Sequence, residues 1–181
     1  MGNIGAEYEL TRHNIGFLVL DQLADQQKAG FTTGRLADKA EFKFKGRSVH
    51  LIKPSTYMNL SGKSVAALRA RYRLSLEDML VVHDDVDLPL GRLRIRPRGG
   101  AGGHRGVESI IQAVGSQEFA RLRVGIGRPP LMGEEGLRDY VLSDFTPEET
   151  AALNELLPRV AEAILCVLEE GVEAAMNRFN M

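Results

Sequence analysis

Two histidines, each beside groups that could set its protonation, are the first candidates for chemistry in this chain. His13 stands in Thr11-Arg12-His13-Asn14, just ahead of an apolar helical pattern. The positive end of a helix dipole disfavours a charged imidazole, so a histidine there stays neutral and able to take a proton. The same position also suits a capping or packing residue. His83 opens a run of acids, Asp84 and Asp85, with Asp87 two residues on. Three acids at a strand end can bind a divalent cation, serve as turn residues, or hold a histidine in one tautomer as its carboxylate partner. No cysteine pair or paired-histidine spacing offers further metal ligands. Asn59, ahead of a helical stretch, suits an N-cap as well as a binding role. Cys166 lies in a tail helix and reads as packing, and no serine sits in a nucleophile elbow.

The densest signal is "PRGGAGGHRG", residues 97–106. Each glycine loses extra conformational freedom on folding, so a cluster needs a reason. It is either a flexible surface loop or a backbone shaped for close approach of a phosphate-bearing ligand. His104 lies inside it, and a histidine on such an exposed loop is not readily assigned to a core. The loop lacks the GxxxxGK[ST] pattern and fits GxGxxG poorly, which argues against a nucleotide cofactor. Charge reinforces the second reading. Residues 92–128 carry eight arginines against two glutamates, a net of +6, while residues 133–181 carry eleven acids against three arginines, a net of −8. A basic stripe around a glycine loop attracts anions such as nucleic acid, although strand arginines also serve as a solvated face.

These residues need elements to hold them. The chain has 181 residues, 44% hydrophobic and 26% charged, enough for one domain with a proper core. A single cysteine excludes an internal disulfide. No apolar run reaches the ~18 residues of a membrane span, and the first residues lack the pattern of a signal peptide, so a cytoplasmic protein is expected. Apolar spacing predicts helices over residues 13–30, ending at Gly30, and over 60–74 with Ser61 as N-cap. Residues 40–54 alternate around Lys45-Gly46 as a hairpin that Pro54 stops. Met79–Val82 reads as a buried strand, with the following acids in the loop beyond it. Residues 92–96 form a strand with one basic face, 107–115 a helix, 121–127 a strand, and the tail from Pro147 one or two amphipathic helices. The alternation predicts an α/β fold: a single domain over 1–181, its twisted mixed sheet mostly parallel, with helices on both faces. Ligands gather beyond the carboxyl ends of strands in such sheets, which is where the polar segments fall.

Taken together, six segments resemble one family. "GNIGAEYELTRHNIGF", "PSTYMNLSGK", "VHDDVDLPLG", "GGAGGHRG", "FARLRVGIGRP" and "DYVLSDF" occur in this order from Gly2 to Phe145. The set closely resembles the bacterial-type peptidyl-tRNA hydrolases. The resemblance implies cleavage of the ester joining a peptide to the terminal ribose of tRNA, by a cytoplasmic monomer that uses no metal or organic cofactor. It places the general base for water on His13 and its partner carboxylate on Asp84. Asn3 and Asn59 would hold substrate and water, with Tyr8 and Tyr57 of the same motifs in the substrate-binding set. His104 would lie near the tRNA acceptor end, and Arg96 and Arg123 would grip the 5′-phosphate. Arg105 stands where the family usually has asparagine, and Ile4 where proline is common. The family also has a short apolar strand before the Gly-Asn pair, whereas Met1 directly precedes Gly2 here. A strand of about five or more residues is therefore expected to be missing upstream. Two other classes compete: a non-catalytic RNA-binding relative and a metal-dependent hydrolase at Asp84–Asp87.

Overall fold

Val81 and Val82 are neighbours in sequence but end in different cores. Successive strand side chains point to opposite faces, so a strand buried on both faces serves two hydrophobic layers. In this computed structural model, which describes residues 1–129 and 133–180, that strand is β3, Leu80–Asp85. It pairs in parallel with β5, Ala120–Gly125, and β5 pairs antiparallel with β4, Leu93–Arg96. A separate antiparallel hairpin joins β1, Ala37–Phe44, to β2, Arg47–Pro54. On one side, Val82, Ile95, Leu122 and Val124 pack with α1, Ile15–Gln26, and with α5, Pro147–Glu170. On the other, Val81 and Phe119 pack with Met1, Met58 and two residues of α3, Arg105–Val114. Helices thus cover both faces, with α2, Ser61–Tyr72, packed against α3 and α6, Val172–Phe179, against β4.

The mixed sheet is present, but its parallel share is smaller than expected. Among the described residues, one of the two pairings in the three-stranded sheet is parallel, and the separate hairpin is antiparallel. Lys45 and Gly46 both take left-handed φ values, 48° and 79°, and close a tight hairpin. After β3 the chain reverses, so β4 runs down, and α3 returns it as β5 between the two.

Several boundaries also differ. α1 ends at Gln26 rather than Gly30, where the chain turns through Lys28 at φ 54°. β3 runs on through His83, Asp84 and Asp85, because all three side chains are buried and the ladder to β5 continues to Gly125. Ser61 does not cap α2; it lies inside the first turn, and its buried hydroxyl has no partner among the described residues. Gly171, at φ 90°, separates α5 from α6. A short helix, α4, Glu134–Val141, has no counterpart in the periodicity reading.

The segment 1–3 is buried beside β3, where the Met1 amino group donates to the Val82 carbonyl at 2.7 Å. Gly16 permits this: a Cβ there would lie 2.3 Å from the Met1 nitrogen. Among the described residues no helix is long and apolar enough to cross a membrane.

Candidate active site

Asp84, near the end of β3, is 3% exposed and organises the site. His13 reaches it from a short 3-10 turn, Arg12–Asn14, placed just before α1. The His13 Nδ1 lies 2.8 and 2.9 Å from the two carboxylate oxygens, and the His104 Nε2 lies 2.9 Å from Oδ1. An ionised carboxylate only accepts, so both ring nitrogens donate. Burial alone would raise the Asp84 pKa, but the two histidines outweigh it and hold the group well below the usual carboxylate range. With its proton on Nδ1, His13 presents an unprotonated Nε2. That nitrogen has no hydrogen-bond partner among the described residues, and His13 lines an open cleft of about 1100 Å³.

His104 is not on an exposed loop, as the glycines suggested. It is the N-cap of α3, and its Nδ1 accepts from the Gly106 and Val107 amides at 3.1 and 3.2 Å. Its side chain is 8% exposed. Gly102 and Gly103, at φ 57° and 80°, let the chain turn sharply enough to bring the ring inward. His83 is buried beside it, ring centroids 4.7 Å apart, and donates from Nδ1 to the Asp84 carbonyl at 2.7 Å. Burial, then the nearby His104, keep the His83 pKa well below its ordinary value, so the ring is neutral.

Asn3 is fixed by three bonds. Its backbone amide donates to Asn14 Oδ1, its carbonyl accepts from Asn14 Nδ2, and its own Oδ1 accepts from the Met58 amide at 2.8 Å. These bonds leave its side-chain NH2 as the free donor on a cleft residue. Asn59 is exposed on the same cleft. Tyr8 and Tyr57 meet edge to face at 6.4 Å on its wall. Arg96 and Arg105 are exposed on it, with no ion pair among the described residues. Arg123 is different: its Nε is bonded to Asp85. Every candidate residue taken from the sequence thus lies on one cleft, but His104 and Arg123 reach it already engaged.

Two buried arginines were not foreseen. Arg121 donates to the Gly100 carbonyl at 2.7 Å and lies over the Phe119 ring at 4.5 Å, pinning the glycine loop. Arg12 donates to the Ser143 and Asp144 carbonyls and pairs with Glu149, tying the His13 turn to the start of α5. Arg12 adjoins His13 in a quoted motif, but nothing in a one-dimensional pattern marks an arginine as buried.

The acids of 84–87 do not converge on a cation site. Asp84 holds the histidines, Asp85 holds Arg123, and Asp87 holds Arg128 at 2.6 Å. His13, Asp84 and His104 do place potential ligand atoms within 4.8 Å of one another. A metal bound by these three would have to displace the protons that the two rings share with the carboxylate, and the helix cap occupies the other nitrogen of His104.

The peptidyl-tRNA hydrolase family matches the chain over residues 1–181. A protein of Chloroflexus aggregans named peptidyl-tRNA hydrolase is 50% identical over 182 residues, covering 99% of this chain and 96% of its own length. One of Desulforudis audaxviator with the same name is 49% identical, covering 99% and 90%. The crystal structure of peptidyl-tRNA hydrolase from Acinetobacter baumannii is similar with a TM-score of 0.92 at 32% identity, over 99% of this chain and 91% of that one. From its fold, the histidine–carboxylate site and these matches, the chain belongs to the peptidyl-tRNA hydrolase family.

Proposed function

We propose that this chain hydrolyses the ester between peptide and tRNA in peptidyl-tRNA, releasing tRNA held by stalled or aborted translation. The observation that carries the reading is the free Nε2 of His13, held in one tautomer by Asp84 on an open cleft. His13 is the general base. Its Nε2 takes a proton from water as the oxygen attacks the ester carbonyl. Asp84 keeps the ring oriented and stabilises the imidazolium that forms. Side-chain N–H groups of Asn59 and Asn3 meet the developing oxyanion and position the water. Collapse expels the ribose hydroxyl, which recovers the proton from His13. Tyr8 and Tyr57 flank the peptidyl end. Arg96, Arg105 and Arg123 face the acceptor-stem phosphates, including the 5′-phosphate. The enzyme works as a cytoplasmic, single-domain monomer.

The test is peptide release from purified N-acetyl-aminoacyl-tRNA. His13→Ala should lower kcat by ~10²–10⁴-fold with fold and tRNA affinity kept. Near-wild-type turnover in that variant overturns the mechanism.

A further inference from the structure

His104 enters the cleft with both ring nitrogens committed. Nδ1 accepts the two amides at the head of α3, standing where a serine or aspartate side chain caps other helices. An acceptor at Nδ1 puts the ring proton on Nε2, and Nε2 points at Asp84 Oδ1, 2.9 Å away. His13 and His83 pack against the ring at centroid distances of 4.9 and 4.7 Å. A substrate approaching His104 finds neither a free donor nor a free acceptor. That is a poor design for a binding residue and a good one for holding something else.

We propose that His104 is a positioning residue that sets how tightly the His13–Asp84 pair holds a proton. The proposal rests on the hydrolase reading above. Asp84 divides one negative charge between two N–H donors. The donor from His104 competes with His13 for the same carboxylate and weakens its pull on the His13 proton. Without that donor, a proton taken up by the pair is held more tightly, whether it settles on His13 or on Asp84. The other ionisable groups facing Asp84 cannot substitute. His83, on the same strand, spends its donor on the backbone, and the Met1 nitrogen donates to Val82. Asp85 and Arg123 pair with each other. Through its cap, His104 also fixes the glycine loop and the first turn of α3 to the catalytic carboxylate.

Two variants separate the two nitrogens. In His104→Asn the amide oxygen can replace Nδ1 as the cap but is too short to reach Asp84. In His104→Gln the amide nitrogen can reach Asp84, while the cap is lost. Peptide release from N-acetyl-aminoacyl-tRNA is followed against pH, with thermal unfolding beside it. For His104→Asn we expect KM to stay near wild type and the melting temperature to fall with the lost bond to Asp84. The acid limb of kcat should move up by roughly one pH unit, the worth of one hydrogen bond to a charged group, so that kcat on the limb falls about tenfold. His104→Gln should restore the limb and melt lower. A limb that stays in place in His104→Asn, or a loss confined to KM, overturns the proposal. NMR titration of the His13 ring in wild type and His104→Asn gives the same comparison without substrate. A raised midpoint supports the proposal and an unmoved one overturns it, even if the wild type releases no peptide and the hydrolase reading itself fails.

Discussion

Three arginines of one cleft differ in what they are free to do. Arg96 ends β4 and is exposed without an ion pair among the described residues. Arg105 is the first residue of α3, where the helix dipole opposes a cation, and it is also exposed and without an ion pair there. Arg123 is bonded to Asp85, and a phosphate would have to compete with that carboxylate. Releasing one counterion per phosphate contact makes log affinity fall with log salt by about one unit per arginine. We expect Arg96→Gln and Arg105→Asn each to flatten the slope for tRNA by about that amount, and Arg123→Gln to flatten it less. Binding measured at several salt concentrations decides. Equal effects from all three would remove the distinction. Arg105→Asn should leave stability unchanged or slightly higher, because the replacement removes a cation from a helix N-terminus.

At the scale of elements, Arg12 connects the His13 turn to the C-terminal half. It is 5% exposed, lies over the Tyr140 ring at 4.3 Å, and bonds to Ser143, Asp144 and Glu149. Glu149 also completes the capping box of α5 with Thr146. This explains the "DYVLSDF" segment: Tyr140 packs on Arg12, Ser143 and Asp144 supply the oxygens, and Phe145 lies 5.3 Å from the guanidinium. Leu137, Arg138 and Leu142, from α4 and the residue after it, line the cleft, so their placement depends on this tie. Arg12→Ala should cost about 1.5–3 kcal/mol, the range for hydrogen bonds to a charged group, and raise KM more than it lowers kcat. Denaturant unfolding checks the first and steady-state kinetics the second. A loss of stability under ~0.5 kcal/mol, the range of an ordinary surface substitution, would show that Arg12 is not the tie.

For the whole molecule, two buried groups make stability depend on pH in one direction. His83 is held neutral when folded while the unfolded ring takes a proton below 6.5, so its contribution is lost as pH falls below 6.5. Asp84 has the opposite charge but the same sign of effect. Its folded pKa is depressed, so its contribution is full above the unfolded value of 3.8 and is lost as pH falls below it. Each proton difference gives about 1.4 kcal/mol per pH unit. The melting temperature should therefore rise by a few degrees per unit between pH 5 and 6.5. A melting temperature flat across that window would show that His83 is not buried in its neutral form.

The sequence by itself determined the pieces whose signals are local. Turn chemistry at Lys45-Gly46, alternation along β4 and β5, and apolar spacing in α1 each follow from a few adjacent residues. The ordered motifs also carried the family and the membership of the cleft. Only the tertiary structure decided which groups are free. His104 sits in a run of glycines and looked exposed, yet left-handed turns at Gly102 and Gly103 fold its ring inward to cap α3 and meet Asp84. Arg123 alternates with Leu122 like any strand arginine, and its pairing with Asp85 depends on β3 lying beside β5. Arg12 and Arg121 are buried because distant carbonyls converge on them, at positions 143, 144 and 100. Local pattern reports propensity and facing. Burial, pairing and proton position depend on residues far apart in the chain, and those meet only when it has folded.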